Sequence, residues 1–307
     1  MARKRQWLER EVDHVRRAVV LEPRGHAGMV AAVLTEPVSP EAHAGLLVAD
    51  GHGYPAMSGH AVIAAVTIAL ERDLLFAADA TADEMRAVFD TPAGTVHARA
   101  RLTNDGSARR VDAVEFTNVP AFVHTPSFPA RLGGRELRVD VAFGGQFYAI
   151  VDTEAIGVPL DASRAADLCR AGTAIRDAVN AALPLRHPTE PAAAGLAGVI
   201  FTGPPVDPEA HLRNVTVTAG GIIRRSPSGT GTSAVMAVLD AMGLLPEGQP
   251  FVHESITGAL FRGRTVQRTA VGDFTAIRAA IEGSAWITGE HTFFIDDDDP
   301  MKEGFVL

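Results

Sequence analysis

The sequence has a single cysteine, Cys169, among its 307 residues. One cysteine cannot form an internal disulfide or a zinc site made of several thiolates, so the sequence does not predict a disulfide-stabilised extracellular scaffold. Long hydrophobic runs are also absent: the longest, from Ala61 to Leu70, falls short of the about 20 residues that a membrane-spanning helix needs. No apolar stretch follows the charged residues of the first seven positions, which argues against a signal peptide.

Positive charge is scarce as well. The chain has 28 Lys and Arg residues against 37 Asp and Glu, a net charge of −9, whereas a protein that binds DNA or RNA usually presents excess positive charge to the phosphate backbone. The hydrophobic content of 47% is ordinary for a globular protein, and the length corresponds to two domains of roughly 150 residues each. We therefore expect a cytoplasmic protein of two domains that binds neither nucleic acid nor a membrane.

Hydrophobic periodicity predicts an α+β protein. Apolar residues at helical spacing predict amphipathic helices over 4–18 and 162–183. Short segments rich in Val, Thr and Phe, bounded by Gly and Pro, predict the strands of a mostly antiparallel sheet. These segments are 29–35, 45–49, 94–103, 111–117, 137–152, 197–202, 214–223, 251–270 and 284–295.

One short pattern occurs twice. The pair Ser58-Gly59 and the pair Ser228-Gly229 each precede a segment of small and apolar residues that predicts a helix. Each predicted helix is followed by a Leu-Leu pair, and the second copy lies 170 positions after the first throughout. The repetition suggests two duplicated halves.

A serine followed by glycine at the start of a helix can bind an anion. The first backbone N–H groups of a helix lack partners within the helix and lie at the positive end of its dipole, so they hold a carboxylate or phosphate without lysine or arginine. Glycine lets the backbone approach the anion closely. Two such helix starts facing one carboxylate would place Ser58 and Ser228 beside the adjoining carbon, an arrangement suited to removing a proton alpha to the carboxylate.

Simpler roles are open for the same residues. Serine is a favoured N-cap, so Ser58 and Ser228 are also predicted as helix caps with no further role, and His60 as a helix-start or packing residue rather than a base. Residues 229–233 lack the phosphate-loop pattern, and no Gly-x-Ser-x-Gly motif surrounds either serine. His52 and His60 lack metal-ligand spacing, so no metal site is predicted.

Six stretches along the chain form a recognisable set of motifs. They are Glu22–His26 with Met29, Gly53–His60, Phe143–Tyr148, Arg225–Ser233, Glu254–Gly258 and Ile287–Phe293. Together they resemble the proline racemase superfamily, which includes proline racemases, 4-hydroxyproline epimerases and trans-3-hydroxy-L-proline dehydratases. The resemblance implies a diaminopimelate-epimerase-like fold of two pseudo-symmetric α/β domains, each with a curved sheet around a central helix. We expect the first domain to comprise 1–133 with 286–307 and the second to comprise 134–285.

The resemblance also implies site residues and a ligand. The two catalytic positions of the superfamily, commonly cysteines, fall on Ser58 and Ser228. The site would need no cofactor, and its ligand would be a small amino acid, proline or hydroxyproline. A homodimer is left open. The substrate carboxylate would be bound by four backbone amides, two at each helix start: those of Gly59, His60, Gly229 and Thr230.

Three features depart from the superfamily pattern. An alcohol ionises far less readily than a thiol, so a serine pair is a poorer device for racemisation than a cysteine pair. Arg224, a candidate substrate-binding residue, stands where the superfamily has an aspartate that pairs with the ring nitrogen of the substrate. A cation there would repel a cationic amine or extend to solvent. The strand with which the superfamily normally begins, bearing an Asp-x-His-Thr-x-Gly-Glu-Pro stretch, has no match here.

From these features we expect an enzyme that removes the alpha proton of a hydroxyproline. Ser58 would act as the base, and Ser228 would donate a proton to the leaving hydroxyl or shape the pocket. Under this hypothesis trans-3-hydroxy-L-proline loses water and becomes a pyrroline carboxylate. Two alternatives stay open: an epimerase or racemase of 4-hydroxyproline or proline, and an inactive relative that binds a small carboxylate.

Overall fold

The computed structural model describes residues 1–75, 81, 83–105, 108–190, 193–245 and 248–306. The chain divides into two units, Met1–Phe116 with Gly283–Leu307, and Thr117–Glu282. Each unit combines a sheet with helices packed on it. Helices and strands are therefore mixed within each unit, as expected for an α+β protein.

The first unit is a sheet with two helices before its first strand and a third helix between its second and third strands. Its elements in chain order are α1 (Ala2–Glu11), α2 (Asp13–Val20), β1 (Val30–Thr35), β2 (Ala44–Asp50), α3 (Gly59–Glu71), β3 (Glu84–Thr91), β4 (Gly94–Asp105) and β5 (Ala108–Thr117). The strand order is β1-β2-β3-β4-β5. Neighbouring strands are antiparallel except for the parallel pair β2 and β3.

The helix predicted over 4–18 is divided into α1 and α2. Val12 leaves the helical conformation, with φ −134° and ψ 22°. The residues of α1 are half-buried or exposed, whereas α2 buries Ala18 and Val20. The two segments therefore pack differently although their apolar spacing is continuous.

Helix α3 is apolar on every side. Nine of its thirteen residues are buried, and it packs against β1 and β4. A helix without a polar face is stable only when it is buried. The hydroxyl of Thr67 donates to the carbonyl of Ile63 at 2.9 Å, so its polar atom is satisfied inside the helix. The carboxylate of Glu71 accepts from the backbone N–H of Val111 at 2.9 Å and ties the end of α3 to β5.

The second unit is a closed sheet. Its elements in chain order are β6 (Ala121–Leu132), β7 (Arg135–Phe143), β8 (Phe147–Asp152), α4 (Thr153–Ile156), α5 (Ala165–Ala182), β9 (Leu196–Gly203), β10 (Leu212–Thr218), β11 (Ile222–Ile223), α6 (Gly229–Ala241), β12 (Phe251–Ser255), β13 (Leu260–Val271) and β14 (Phe274–Gly283). The strand order is β6-β7-β8-β9-β10-β12-β13-β14, and β14 pairs back to β6. This closure makes the sheet barrel-like and leaves no free edge along the cycle.

Helices α5 and α6 pack on opposite faces of this barrel. Side chains alternate between the two faces of a strand. Leu168 and Ile175 of α5 share a buried core with Val199 and Phe201 of β9. Ile200, which lies between those two strand residues, is instead adjacent to the first turn of α6. The first ten residues of α6 are all buried, whereas α5 buries one side and exposes residues such as Arg170.

The boundary between the units differs from the predicted one. β6 pairs with β7 along most of its length and with β14 at Ala121 and Phe122. A boundary at 133/134 would separate β6 from these partners. The structure divides the chain between Phe116 and Thr117, and again between Glu282 and Gly283 rather than at 285/286.

Residues 284–295, predicted as a strand, form neither helix nor strand. β14 ends at Gly283, and the aromatic side chains of Trp286, Phe293 and Phe294 are exposed. A strand needs a neighbour for its backbone N–H and C=O groups, and an apolar composition does not supply one. The prediction for this segment was wrong.

Candidate active site

Ser58 is the N-cap residue of α3, but its hydroxyl does not cap the helix. Its backbone is extended, with φ −147° and ψ 118°, and its side chain makes no capping hydrogen bond. Its carbonyl accepts the N–H of Val62 at 3.0 Å, which starts the helix. The Ser58 Oγ lies 3.3 Å from Nδ1 of His60. The half-buried hydroxyl is therefore paired with an imidazole.

The loop before Ser58 is fixed by Arg16 of α2. The guanidinium of Arg16 lies over the Tyr54 ring, 5.7 Å from its centroid, and donates to the carbonyl of Asp50 at 2.7 Å. It also makes two hydrogen bonds, of 2.6 and 2.9 Å, to the carboxylate of Asp13. These bonds hold the pKa of Asp13 below its usual value. Arg16 thus contacts the chain at Asp50 and at Tyr54, before it enters α3.

Gly59 and His60 occupy the first two positions of α3. The N–H groups at these positions have no partner within the helix and lie at the positive end of its dipole. Gly59 is buried and His60 is half-buried. Both residues therefore lie at the start of α3, and their binding of a carboxylate stays a prediction.

Ser228 is the N-cap of α6 and does cap its helix. Its Oγ accepts the N–H of Gly231 at 3.2 Å, and its carbonyl accepts the N–H of Thr232 at 2.7 Å. Its φ of +66° is unusual for a residue with a side chain, and such a conformation costs about 1–3 kcal/mol. Gly229 and Thr230 fill the first two helical positions, so their amides correspond to those of the first helix start.

A buried chain of hydroxyl groups leads away from Ser228. The Ser228 Oγ lies 3.4 Å from the Thr230 Oγ1, and the Thr230 Oγ1 lies 2.7 Å from the phenol oxygen of Tyr148. Tyr148 in turn donates to Oε1 of Gln146 at 3.1 Å. Burial raises the pKa of the Tyr148 phenol, while its hydrogen bonds to Thr230 and Ser228 and the charge of Arg224 oppose that rise.

The turn between β7 and β8 packs directly on the first turn of α6. A side chain on Gly144 would come within 2.2 Å of the carbonyl oxygen of Thr230. Gly145 has a φ of +111°, and a side chain there would come within 2.8 Å of Cγ2 of Thr230. The amide of Asn118 donates to the carbonyl of Gly144 at 2.7 Å. The two glycines are therefore required for the close approach that brings Tyr148 to Thr230.

Arg224 lies in the segment that leads to Ser228. Its backbone N–H donates to the carbonyl of Thr216 at 2.9 Å, and its side chain is half-buried, whereas Arg225 is exposed. The positive charge of Arg224 lowers the pKa of Tyr148. The hydroxyl of Thr257 donates to the carbonyl of Arg225 at 2.8 Å and fixes the segment from the other side. The charge of Arg224 therefore acts on the phenol that contacts Thr230.

A buried histidine on β12 contacts the first turn of α6. His253 of β12 is fully buried, and its Nδ1 lies 3.0 Å from the hydroxyl of Thr232. Its Nε2 is buried without a hydrogen-bond partner. Burial lowers the pKa of His253 to about 3, so the imidazole is neutral at physiological pH.

Other predicted features do not add to the site. Within the described ranges, no group of three or more His, Cys, Asp and Glu residues could hold a metal ion. No helix in that part of the chain is long and apolar enough to cross a membrane. Cys169 is half-buried on α5, and burial raises the pKa of its thiol. A raised pKa disfavours the reactive thiolate.

The structure thus groups the predicted residues into two separate clusters, one in each unit. The first contains Ser58, Gly59 and His60. The second contains Ser228, Gly229, Thr230 and Arg224, together with two residues to which the sequence analysis assigned no role. These are Tyr148 and Gln146, which lie in the motif Phe143–Tyr148. Membership of that motif was the signal that could have identified them.

Comparisons with known proteins agree on one family. A family model for proline racemase matches residues 1–306. A proline racemase of Clostridioides difficile is 39% identical over 308 residues, which cover 100% of this chain and 90% of the relative. A trans-3-hydroxy-L-proline dehydratase of Bacillus cereus is 38% identical over 304 residues, covering 99% of this chain and 89% of the relative. Racemase and dehydratase relatives are thus equally similar to this chain.

Solved structures support the same assignment. A hydroxyproline epimerase from Agrobacterium vitis, with bound trans-4-hydroxy-L-proline, has a TM-score of 0.88 at 32% identity and covers 99% of this chain and 86% of its own. A probable proline racemase from Agrobacterium radiobacter, with bound carbonate, has a TM-score of 0.89 at 32% identity, covering 100% and 88%. The α+β, diaminopimelate-epimerase-like fold expected from the sequence is confirmed.

Proposed function

This chain belongs to the proline racemase family, and we propose that it is a cofactor-independent dehydratase that converts trans-3-hydroxy-L-proline to a pyrroline-2-carboxylate. The observation that carries the proposal is the unequal environment of the two serines. Ser58 is paired with the imidazole of His60, whereas Ser228 is surrounded by hydroxyl groups. Elimination needs a base on one side and an acid on the other, while racemisation needs two groups that can each do both.

The substrate carboxylate is held by backbone amides in this proposal. Gly59 and His60 provide N–H groups at the start of α3, and Gly229 and Thr230 provide them at the start of α6. Ser58 and Ser228 then act on the same substrate molecule. Such fixed donors stabilise the negative charge that develops on the carboxylate when the alpha proton leaves.

Ser58 and His60 take the alpha proton. The Ser58 Oγ accepts it from the alpha carbon while its own hydrogen passes to Nδ1 of His60, 3.3 Å away. This step requires the tautomer of His60 in which Nδ1 carries no hydrogen. The base is therefore the serine–imidazole pair rather than an isolated alcohol, which offsets the poor acidity of serine.

Ser228 assists the departing hydroxyl. The bond between C3 and oxygen breaks as the electrons from the alpha carbon form the ring double bond, and the hydroxyl leaves as water after accepting the hydrogen of Ser228. The proton held by His60 is then released to solvent and Ser228 takes one up, so both side chains return to their starting states. The unsaturated ring then tautomerises to the pyrroline. In this proposal the charge of Arg224 acts on Tyr148, which is a different role from pairing with the ring nitrogen.

The test is a substrate panel on the purified protein. With trans-3-hydroxy-L-proline we expect a pyrroline that gives a yellow adduct with o-aminobenzaldehyde. With trans-4-hydroxy-L-proline and L-proline we expect no change in optical rotation. A colourless reaction at high concentration of folded protein would refute the dehydratase proposal. Calorimetric binding of pyrrole-2-carboxylate without turnover of any substrate would support the alternative of an inactive carboxylate-binding relative.

A 4-hydroxyproline epimerase is the second candidate. It is favoured by the similarity to the epimerase structure that contains trans-4-hydroxy-L-proline. An epimerase would incorporate deuterium from heavy water at the alpha carbon with inversion and without loss of water. The same panel run in deuterium oxide therefore separates the two functions, and proline racemase activity would appear as loss of rotation with L-proline.

A further inference from the structure

A buried row of hydroxyl groups connects Ser228 to Tyr148, which takes no part in the reaction steps proposed above. We propose that Tyr148, acting through Thr230, is a positioning residue that determines whether the Ser228 hydroxyl points its hydrogen toward the substrate. The inference deepens the proposed function and rests on it, because Ser228 is the proton donor there. The contacts of 3.4 Å between Ser228 and Thr230 and 2.7 Å between Thr230 and Tyr148 carry it.

Each hydroxyl in the row has one hydrogen, so their directions are coupled. When Tyr148 donates to Thr230, Thr230 donates to Ser228, and the hydrogen of Ser228 is left for the substrate. When Tyr148 donates to Gln146, which is the direction of that 3.1 Å bond in the structure, Thr230 donates to Tyr148 and Ser228 turns its hydrogen to Thr230. The amide of Gln146 can face Tyr148 with its oxygen or its NH₂ group, so it accommodates both directions.

The surroundings leave little freedom for any other arrangement. Tyr148, Thr230 and Ser228 are all buried, which keeps bulk water from competing for their hydrogens. The Ser228 Oγ also accepts the N–H of Gly231 at 3.2 Å, so one of its lone pairs is occupied. The close packing of Gly144 and Gly145 on Thr230 fixes the distance across the row.

The charge of Arg224 acts on the phenol at the end of this row. Its positive charge lowers the pKa of Tyr148 against the opposing effect of burial. A phenol with a lower pKa is a better hydrogen-bond donor to either of its neighbours, Thr230 or Gln146. The role of Arg224 in this row is thus to strengthen Tyr148 as a hydrogen-bond donor.

The first experiment compares variants that keep the shape of the row and remove one hydroxyl. We expect Tyr148→Phe and Thr230→Val to lower kcat for pyrroline formation by about tenfold to a hundredfold, with KM within about threefold of the wild type. The double variant should lose no more than either single variant, because both interrupt the same row. Thr230→Ser restores the hydroxyl and should restore kcat. Wild-type kcat in folded Tyr148→Phe would overturn the inference.

The second experiment does not depend on activity. The chain has two tyrosines, Tyr54 and Tyr148, so in Tyr54→Phe the absorbance of tyrosinate at 295 nm reports the ionisation of Tyr148 alone. Removing the Thr230 hydroxyl by Thr230→Val should move this titration to higher pH, because its hydrogen bond lowers the pKa of Tyr148. Thr230→Ser should leave it unmoved, and circular dichroism should show that each protein stays folded at the midpoint.

The two experiments separate the inference from the proposed function. A wild type that forms no pyrroline refutes the dehydratase proposal but does not change the titration. An unmoved titration in Thr230→Val overturns the row of hydroxyls, whatever reaction the protein catalyses.

Discussion

The two helix starts that bear Ser58 and Ser228 have the same design and different local chemistry. Both helices have thirteen residues, a serine at the N-cap and a glycine at the first position. Ser58 has an extended backbone and its hydroxyl makes no capping hydrogen bond, whereas Ser228 has a positive φ and caps its helix. The residue two positions after the serine, His60 or Thr230, determines whether the hydroxyl meets an imidazole or another hydroxyl.

The buried side chains of the two helices also differ in polarity. α3 buries mainly aliphatic side chains, while the first turns of α6 bury Thr230, Thr232 and Ser233. Each of these three polar side chains has a hydrogen-bond partner: Tyr148, His253 and Asn118, respectively. A polar network of this kind fixes a helix start more tightly than apolar contacts alone. Two helix starts with the same serine–glycine pair can therefore have different local chemistry.

The largest expected effect of this difference is on catalysis. Ser58→Ala should lower pyrroline formation by about a thousandfold or more, because it removes the base, and Ser228→Ala by about tenfold to a hundredfold, because water can protonate a leaving hydroxyl. The measurement is kcat with trans-3-hydroxy-L-proline, with Ser163→Ala of an exposed serine as the control. Equal losses at both serines would contradict a one-base reaction and indicate a two-base epimerase or racemase.

The buried imidazole beneath α6 should make the second unit sensitive to acid. The pKa of His253 is about 3 in the folded protein against 6.5 for an ordinary histidine. In the unfolded chain this histidine is protonated below pH 6.5, whereas in the folded chain it stays unprotonated down to about pH 3. The contribution of His253 to the free energy of unfolding is therefore fully present above pH 6.5. It falls by about 1.4 kcal/mol per pH unit as the pH drops from 6.5 towards 3.

The comparison of His253→Gln with wild type tests this expectation. Between pH 7 and pH 5, the free energy of unfolding in urea should fall by about 2 kcal/mol less in the variant than in the wild type. His14→Gln, which removes an exposed histidine, is the matched control. Equal pH dependence of His253→Gln and wild type would show that the imidazole is not a source of acid sensitivity.

Local composition predicted the elements with regular patterns. The small, apolar segments after Ser58 and Ser228 are helices that begin at Gly59 and Gly229, as expected, and the segments 29–35 and 197–202 correspond to β1 and β9. β6 was missed because Pro126 and Pro129 interrupt its pattern, and register shifts near them accommodate these prolines. Prolines normally indicate an edge strand or a loop.

The sequence predicted the positions of the two helix starts but not the conformations and hydrogen bonds of their serines. Sequence placed both serines at helix starts, yet it cannot show that one caps and the other does not, since the φ of Ser228 is set by the packing around it. Tyr148 is 82 positions from Thr230. Their contact depends on the closed sheet and the double-glycine turn, which local periodicity does not encode.

The smallest expected effect is on stability at neutral pH, and it isolates the capping difference from catalysis. Ser228→Ala removes a capping hydrogen bond and should lower the free energy of unfolding by about 1 kcal/mol, whereas Ser58→Ala should change it by a few tenths at most, because no capping bond is lost. Ser228→Gly should be more stable than Ser228→Ala by about 1 kcal/mol or more, because glycine adopts a positive φ without strain and is a tolerable N-cap. Urea denaturation at pH 7 measures all three. A loss at Ser58→Ala as large as that at Ser228→Ala would mean that both hydroxyls cap their helices in solution, and the asymmetry on which the assignment of base and acid depends would disappear.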